Sequence, residues 1–104
     1  MIECFTTEDD DLTRLACTGD LTLAEAEQLT GELTSLLDVQ DLVVDFVSLD
    51  AFDLAGLQVL YALCSSRRRR KLPVRFTGEA ALERIEKMTI FAGLPMLPTA
   101  SEPD

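Results

Sequence analysis

Asp45, Asp50 and Asp53 place three carboxylates in nine consecutive residues of the stretch VVDFVSLDAFD. Carboxylates this close in sequence can share a proton, divide the roles of general acid and base, or hold a cation between them. Each of these chemistries needs help that the chain does not offer. It contains no histidine, which removes zinc sites of the usual kind and every histidine-based acid–base or nucleophilic scheme. It has no C-x-x-C pair, no glycine-rich phosphate loop and no metal-ligand spacing. The three aspartates are therefore read as turn and cap groups: no residue is assigned a catalytic role, and no metal or cofactor is expected. A second acidic run, Glu8 to Asp11, lacks the sharp glycine turn of a calcium loop and reads as a solvated hairpin turn.

Cys4, Cys17 and Cys64 are odd in number, widely spaced and each set in an apolar segment. That is the pattern of reduced cysteines used as small hydrophobes, and it implies a cytosolic location. The five consecutive cations Arg67 to Lys71 follow a helical stretch and read as a solvated helix end that complements the macrodipole. A formal charge of −10 over 104 residues repels polyanions, so nucleic acid is excluded as a partner and a basic protein surface is favoured. The opening MIECFTTEDDD has neither a basic n-region nor an apolar h-region, and no apolar run is long enough to cross a bilayer. Neither export by such a signal nor membrane insertion is expected.

The elements that must position these groups fit one domain with a core of Leu, Val, Ala and Ile. Its expected extent is residues 1–94, with a polar tail over 95–104 in which Met96 and Leu97 could add a short last strand. Ile2 to Thr6 and Leu12 to Thr18 read as a strand pair with Leu15 and Cys17 on the buried face and Arg14 opposite. Thr22 and Glu25 have capping-box spacing, each side chain satisfying an orphan backbone donor of a helix whose buried stripe is Ala26, Leu29, Leu33, Leu36 and Leu37. Leu42 to Phe46 is nearly continuous in apolar character and reads as a central strand buried on both faces. The segment Val47 to Phe52 then crosses to Asp53, the cap of a helix over Leu54 to about Arg69.

Helical phase puts Leu57, Leu60, Tyr61 and Cys64 of that helix on the core side. Ala55, Gln58, Val59, Ala62 and Ser66 fall opposite, without a charge among them. Such a face is either covered by a neighbouring helix or kept smooth for a partner. Leu72 to Phe76 follows as a strand that Pro73 pushes to an edge or a strand start, and then a helix from about Glu79, with Leu82, Ile85 and Met88 inward, stops at Gly93. The order β-β-α-β-α-β-α implies an α/β fold: a mixed sheet of four to five strands with three main helices packed on at least one face, joined by right-handed crossovers.

Three stretches carry a resemblance to a known family. TGDL before Thr22 is similar to a T-G-E-L-D motif. VVDFVSLDAFDLAGLQVL is similar, without a gap, to V-L-D-L-S-x-V-x-F-I-D-S-[SA]-G-L-x-x-L, and TGEAALERIEKMTIFAGL resembles a closing segment that ends in G-L. From Thr18 to Leu94 the chain thus resembles the STAS domain, the fold of bacterial anti-sigma-factor antagonists and of the cytoplasmic ends of sulfate transporters. The resemblance implies a non-enzymatic module in transcription regulation by partner switching, with a kinase-like anti-sigma factor as partner. It aligns Asp53 with the motif aspartate and Ala55 and Gly56 with its small residues. It also puts Leu54 where relatives carry the serine or threonine that the partner kinase phosphorylates, so no phosphorylation is expected there. Thr22 stands where many relatives have a second aspartate. The implied docking surface is Asp20, Thr22, Asp53, Leu54, Ala55, Gly56, Gln58, Val59 and Ala62. Alternatives are an accessory STAS subunit docking the ATPase of an ABC-type membrane transporter and, in resemblance to some relatives, a sensor binding nucleotide at the Asp53 helix N-terminus.

Overall fold

The structure is a computed structural model that describes residues 2–95 and 97. β1 (Ile2–Asp9) and β2 (Leu12–Leu21) pair antiparallel across a tight acidic turn. Asp10 sits in the left-handed region of that turn at φ 57°, a conformation aspartate tolerates better than most residues. α1 (Leu23–Thr34), β3 (Asp41–Phe52), α2 (Leu54–Arg69), β4 (Val74–Thr77) and α3 (Glu79–Ala92) follow. The strands lie in the order β1-β2-β3-β4, with β2, β3 and β4 parallel. Consecutive parallel strands in sequence order, joined by crossovers of one hand, carry their helices on one face.

That face holds a single core. Leu15 and Cys17 of β2, Leu42, Val44 and Phe46 of β3, and Val74 and Phe76 of β4 point into it, against Leu29 and Leu33 of α1, Leu57, Leu60 and Leu63 of α2, and Ala81 and Ile85 of α3. Phe46 of β3 and Phe76 of edge strand β4 stack with ring centroids 6.1 Å apart. Gly78 follows β4 at φ +116°, and a Cβ there would stand 2.4 Å from the Phe46 carbonyl oxygen, so only glycine fits where α3 turns in under the sheet. The buried line of α3 is Ala81, Ile85 and Thr89, spaced by one turn, with Leu82 and Met88 only half-buried beside it. The expected stripe is thus rotated slightly, and the Thr89 hydroxyl is accommodated by donating to the Glu86 carbonyl. Gly93, at φ 71°, stops the helix as expected, with the Leu94 N–H returning to the Thr89 carbonyl.

The other sheet face is partly open, so the expectation that Leu42 to Phe46 is buried on both sides holds at Val43 and fails at Asp45, which is only half-buried. Val43 is 3% exposed because the stems of its register neighbours, Arg14 on β2 and Arg75 on β4, flank it. Arg14 reaches Asp45 at 3.1 Å and Arg75 reaches Asp41 at 3.3 Å. Half-exposed pairs of this kind contribute little to stability, at most about 1 kcal/mol each.

A second correction concerns the basic run. Arg67 is completely buried and is no part of a solvated end. Its guanidinium donates to the carbonyls of Leu36, Leu37, Val39 and Gln40 beyond α1 and of Pro73 before β4. One cation thereby satisfies the backbone of two loops and ties α1 to the end of α2. Burial lowers its pKa, with Asp41 and Asp38 acting in the opposite direction, and an arginine still keeps its charge. Arg70, by contrast, is exposed and pairs with Asp38 at 2.8 Å.

The short strand expected from Met96 and Leu97 falls partly outside the described residues, as do residues 98–104. Leu97 itself is buried with the core.

Candidate functional site

β3 does not end at Phe46. It runs on for six further residues and pairs with β2 at Ser48, Leu49 and Phe52, past two register shifts, at Cys17/Thr18 and Gly19/Leu21. Val47 to Phe52 is therefore strand, where a crossing segment was expected. Its polar and exposed residues broke the apolar run that marks the buried half of the strand. Asp20 accepts a hydrogen bond from the Ala51 N–H at 3.2 Å beside the second irregularity, and the Asp53 N–H donates to the Leu21 carbonyl at 3.3 Å. The extra pairing brings the ends of β2 and β3 together, so α1 and α2 start side by side.

Asp53 joins the two helix starts. Its Oδ1 accepts from the Gly56 N–H at 3.1 Å, capping α2, and its Oδ2 accepts from the Leu23 N–H at 3.1 Å, in the first turn of α1. A carboxylate placed between two helix N-termini is favoured by both dipoles. The expected capping box is corrected accordingly. Thr22 has the extended backbone of an N-cap, but its side chain makes no cap bond; the hydroxyl donates to the Glu25 carboxylate. The Glu25 N–H is satisfied by the Thr22 carbonyl at 2.9 Å. The Thr22 hydroxyl in turn holds the Glu25 carboxyl below the usual glutamate range.

Gly56 is buried, and a Cβ on it would lie 2.3 Å from the Leu21 carbonyl oxygen. It sets the distance between α2 and β2 and lies beneath the surface. From the opposite side Arg84 of α3 donates to the carbonyls of Leu49 and Asp50, the latter at 2.9 Å, and holds the strand end that leads to Asp53.

Above this scaffold, Leu54 is 47% exposed and Leu23 is 73% exposed, each the first residue of its helix. Asp20, Thr22, Asp53 and Ala55 are half-buried around them, and Gln58 and Ala62 extend the surface along α2. The uncharged face of α2 has a mixed answer. Val59 packs against the core, and Val59, Ala62 and Ser66 form one wall of a groove of about 90 Å³ whose other wall is Thr30, Leu33, Thr34 and Leu37. α1 covers half of the face and leaves the rest open. Leu23 and Arg84 were not singled out by the sequence. A leucine directly after a cap residue, outside the buried stripe, was the available signal for the first; nothing local marks the second. Among the described residues no cluster of cysteine, aspartate and glutamate is arranged to hold a metal, and no helix is long and apolar enough to cross a membrane.

A family model described as "Mlab, STAS domain" matches residues 4–97. The chain belongs to the STAS family. No curated protein matches it in sequence. Among solved structures, an anti-sigma factor antagonist from Mycobacterium paratuberculosis superposes with a TM-score of 0.69 at 19% identity, over 96% of this chain and 88% of that one. The phosphorylated form of the Bacillus cell fate determinant SpoIIAA gives 0.68 at 16% identity, over 96% and 93%. An antisigma-factor antagonist STAS domain from Rhodobacter sphaeroides gives 0.64 at 18%, over 76% and 88%. This STAS chain therefore has the anti-sigma-factor-antagonist fold, a four-stranded mixed sheet with three helices.

Proposed function

We propose that the chain is a non-enzymatic, cytoplasmic regulatory module that docks a protein partner through the paired starts of α1 and α2, with a kinase-like anti-sigma factor as the partner and without phosphorylation at Leu54. The observation that carries this reading is the exposed Leu23–Leu54 pair beside a carboxylate whose two oxygens are already engaged. Burying the exposed part of Leu54 in a complex contributes roughly 1 to 1.5 kcal/mol. Asp20, Thr22, Asp53 and Ala55 form the rim of the surface, and Gln58, Val59 and Ala62 its extension; Gly56 supports it from below. A leucine carries no hydroxyl, so the surface binds constitutively and is regulated by the amount or state of the partner.

The same surface suits an accessory STAS subunit that docks the ATPase of an ABC-type transporter, which is the second reading. A constitutive apolar contact serves that stable assembly equally well. Nucleotide binding at the start of α2 is less well supported, because Asp53 occupies the Gly56 N–H that a phosphate would need and adds a negative charge beside it.

A photo-crosslinking residue at exposed Gln58, followed by mass spectrometry from native cells, tests the proposal. Capture of an ATP-binding regulatory kinase that is lost in Ala62→Glu supports it. Capture of a transporter ATPase moves the assignment to the second reading, and crosslinks indifferent to Ala62→Glu contradict the surface itself.

A further inference from the structure

Cys4 and Cys17 face each other in register across the β1–β2 pair, and their Sγ atoms stand 3.8 Å apart. Cys17 is 1% exposed, whereas Cys4 is only half-buried. Directly opposed residues of antiparallel strands have Cα atoms about 4.5 to 5.5 Å apart, within the roughly 4.4 to 6.8 Å that a disulfide spans. Closing this pair therefore needs side-chain rotation and little backbone movement. Cys64 sits elsewhere, on α2 beside a cleft lined by Arg68, Lys71, Leu72, Pro73 and Val74.

We propose that Cys4 and Cys17 form an oxidative modification site, in which an accessible first thiol and a buried resolving thiol are converted by a small peroxide into a cross-strand disulfide. In the first step the Cys4 sulfur, as thiolate, attacks one peroxide oxygen; an S–O bond forms, the O–O bond breaks, and the departing oxygen takes a proton and leaves as water. In the second step the Cys17 sulfur attacks the Cys4 sulfenic sulfur. The S–S bond forms, the S–O bond breaks, and the hydroxide leaves with the Cys17 proton as a second water. The two thiols lose two electrons, and the peroxide gains them.

The order of attack follows from position. Cys4 is the sulfur a solute can reach. Burial raises both thiols above the usual cysteine range, and the hydrogen bond between them favours the Cys4 thiolate over that of Cys17. Oxidation is consequently slow at neutral pH and quickens by up to about tenfold per pH unit while thiolate is limiting. The free thiols serve as core hydrophobes in the reduced chain, and the disulfide fastens edge strand β1 to β2. Gln28 of α1 donates to the Ile2 carbonyl at 2.8 Å, so the fastened strand also holds one contact of α1.

The purified chain is treated with hydrogen peroxide at about pH 8, where more thiolate is present, then denatured and labelled with N-ethylmaleimide. The expected result is one label on a chain that carries three free cysteines when reduced, with peptide mapping that links Cys4 to Cys17. Cys64→Ser keeps the link. Cys4→Ser, a change at the half-exposed position that the fold tolerates, abolishes it and leaves Cys17 unoxidised. Three labels after treatment, sulfinic acid on Cys4 without a link, or a disulfide that involves Cys64 or a second chain would overturn the proposal.

Discussion

Asp53 carries more of the structure than a single cap residue does, because its carboxylate serves the first turns of two helices. Loss of one good cap costs about 1 kcal/mol. Asp53→Ala, which removes both bonds and the charge between two dipoles, is expected to destabilise the fold by roughly 2 to 3 kcal/mol in a urea titration. Thr22 behaves differently from what its sequence context implies. Its T-x-x-E spacing was legible, yet the hydroxyl goes to the Glu25 side chain while the Glu25 N–H donates to the Thr22 carbonyl, and the carboxylate that serves the Leu23 N–H arrives from 30 residues away. No local pattern reports such an acceptor. The Glu25 carboxyl is depressed in the folded state by that hydroxyl. Its contribution to stability is therefore present above the unfolded glutamate pKa and lost as pH falls through the depressed folded value. Thr22→Val is expected to flatten this part of the acid limb of a stability–pH profile by lowering stability at neutral pH while leaving it nearly unchanged below the glutamate range.

At the scale of elements, the helices were legible because their apolar spacing and end signals are local. The helix starting at Leu54, its cap at Asp53 and the stop at Gly93 all follow from short-range chemistry. The far half of β3 was not legible: its pairing to β2 runs through two register shifts and depends on a partner strand. Arg67 was obscured by its four basic neighbours, although it falls one turn beyond Leu63 and Cys64 on the core side of α2 and could have been placed by phase. Its five carbonyl partners make it the bolt between α1, α2 and β4. Arg67→Met fills much of the volume but leaves those carbonyls without their donor. The expected loss is about 3 kcal/mol or more, read by thermal and urea unfolding, whereas Arg69→Met on the exposed side of the same turn should shift stability by less than about 0.5 kcal/mol.

For the whole molecule, a sheet with one face under three helices gives a rigid platform whose helix starts are presented together. The net charge of −10 acts at longer range than any single contact. If the partner surface is basic, association should slow as ionic strength rises, with a much smaller change in dissociation, because screening weakens steering more than the docked contacts. Stopped-flow mixing at low and high salt measures both rates. The family and the fold were readable from the motif stretches alone, since they encode the strand end, the cap and the close packing at Gly56. The docking geometry was only partly readable, because it depends on α1 and α2 starting beside one another.

The most direct test of this account is the affinity of the purified partner, once crosslinking has identified it, for the Leu54→Glu variant against the unaltered chain by calorimetry. A glutamate in the first turn of α2 agrees with the helix dipole, so the variant is expected to fold, and circular dichroism checks that it does. Binding is expected to weaken by tenfold or more, about 1.4 kcal/mol. An unchanged affinity in a folded variant would contradict docking through the paired helix starts.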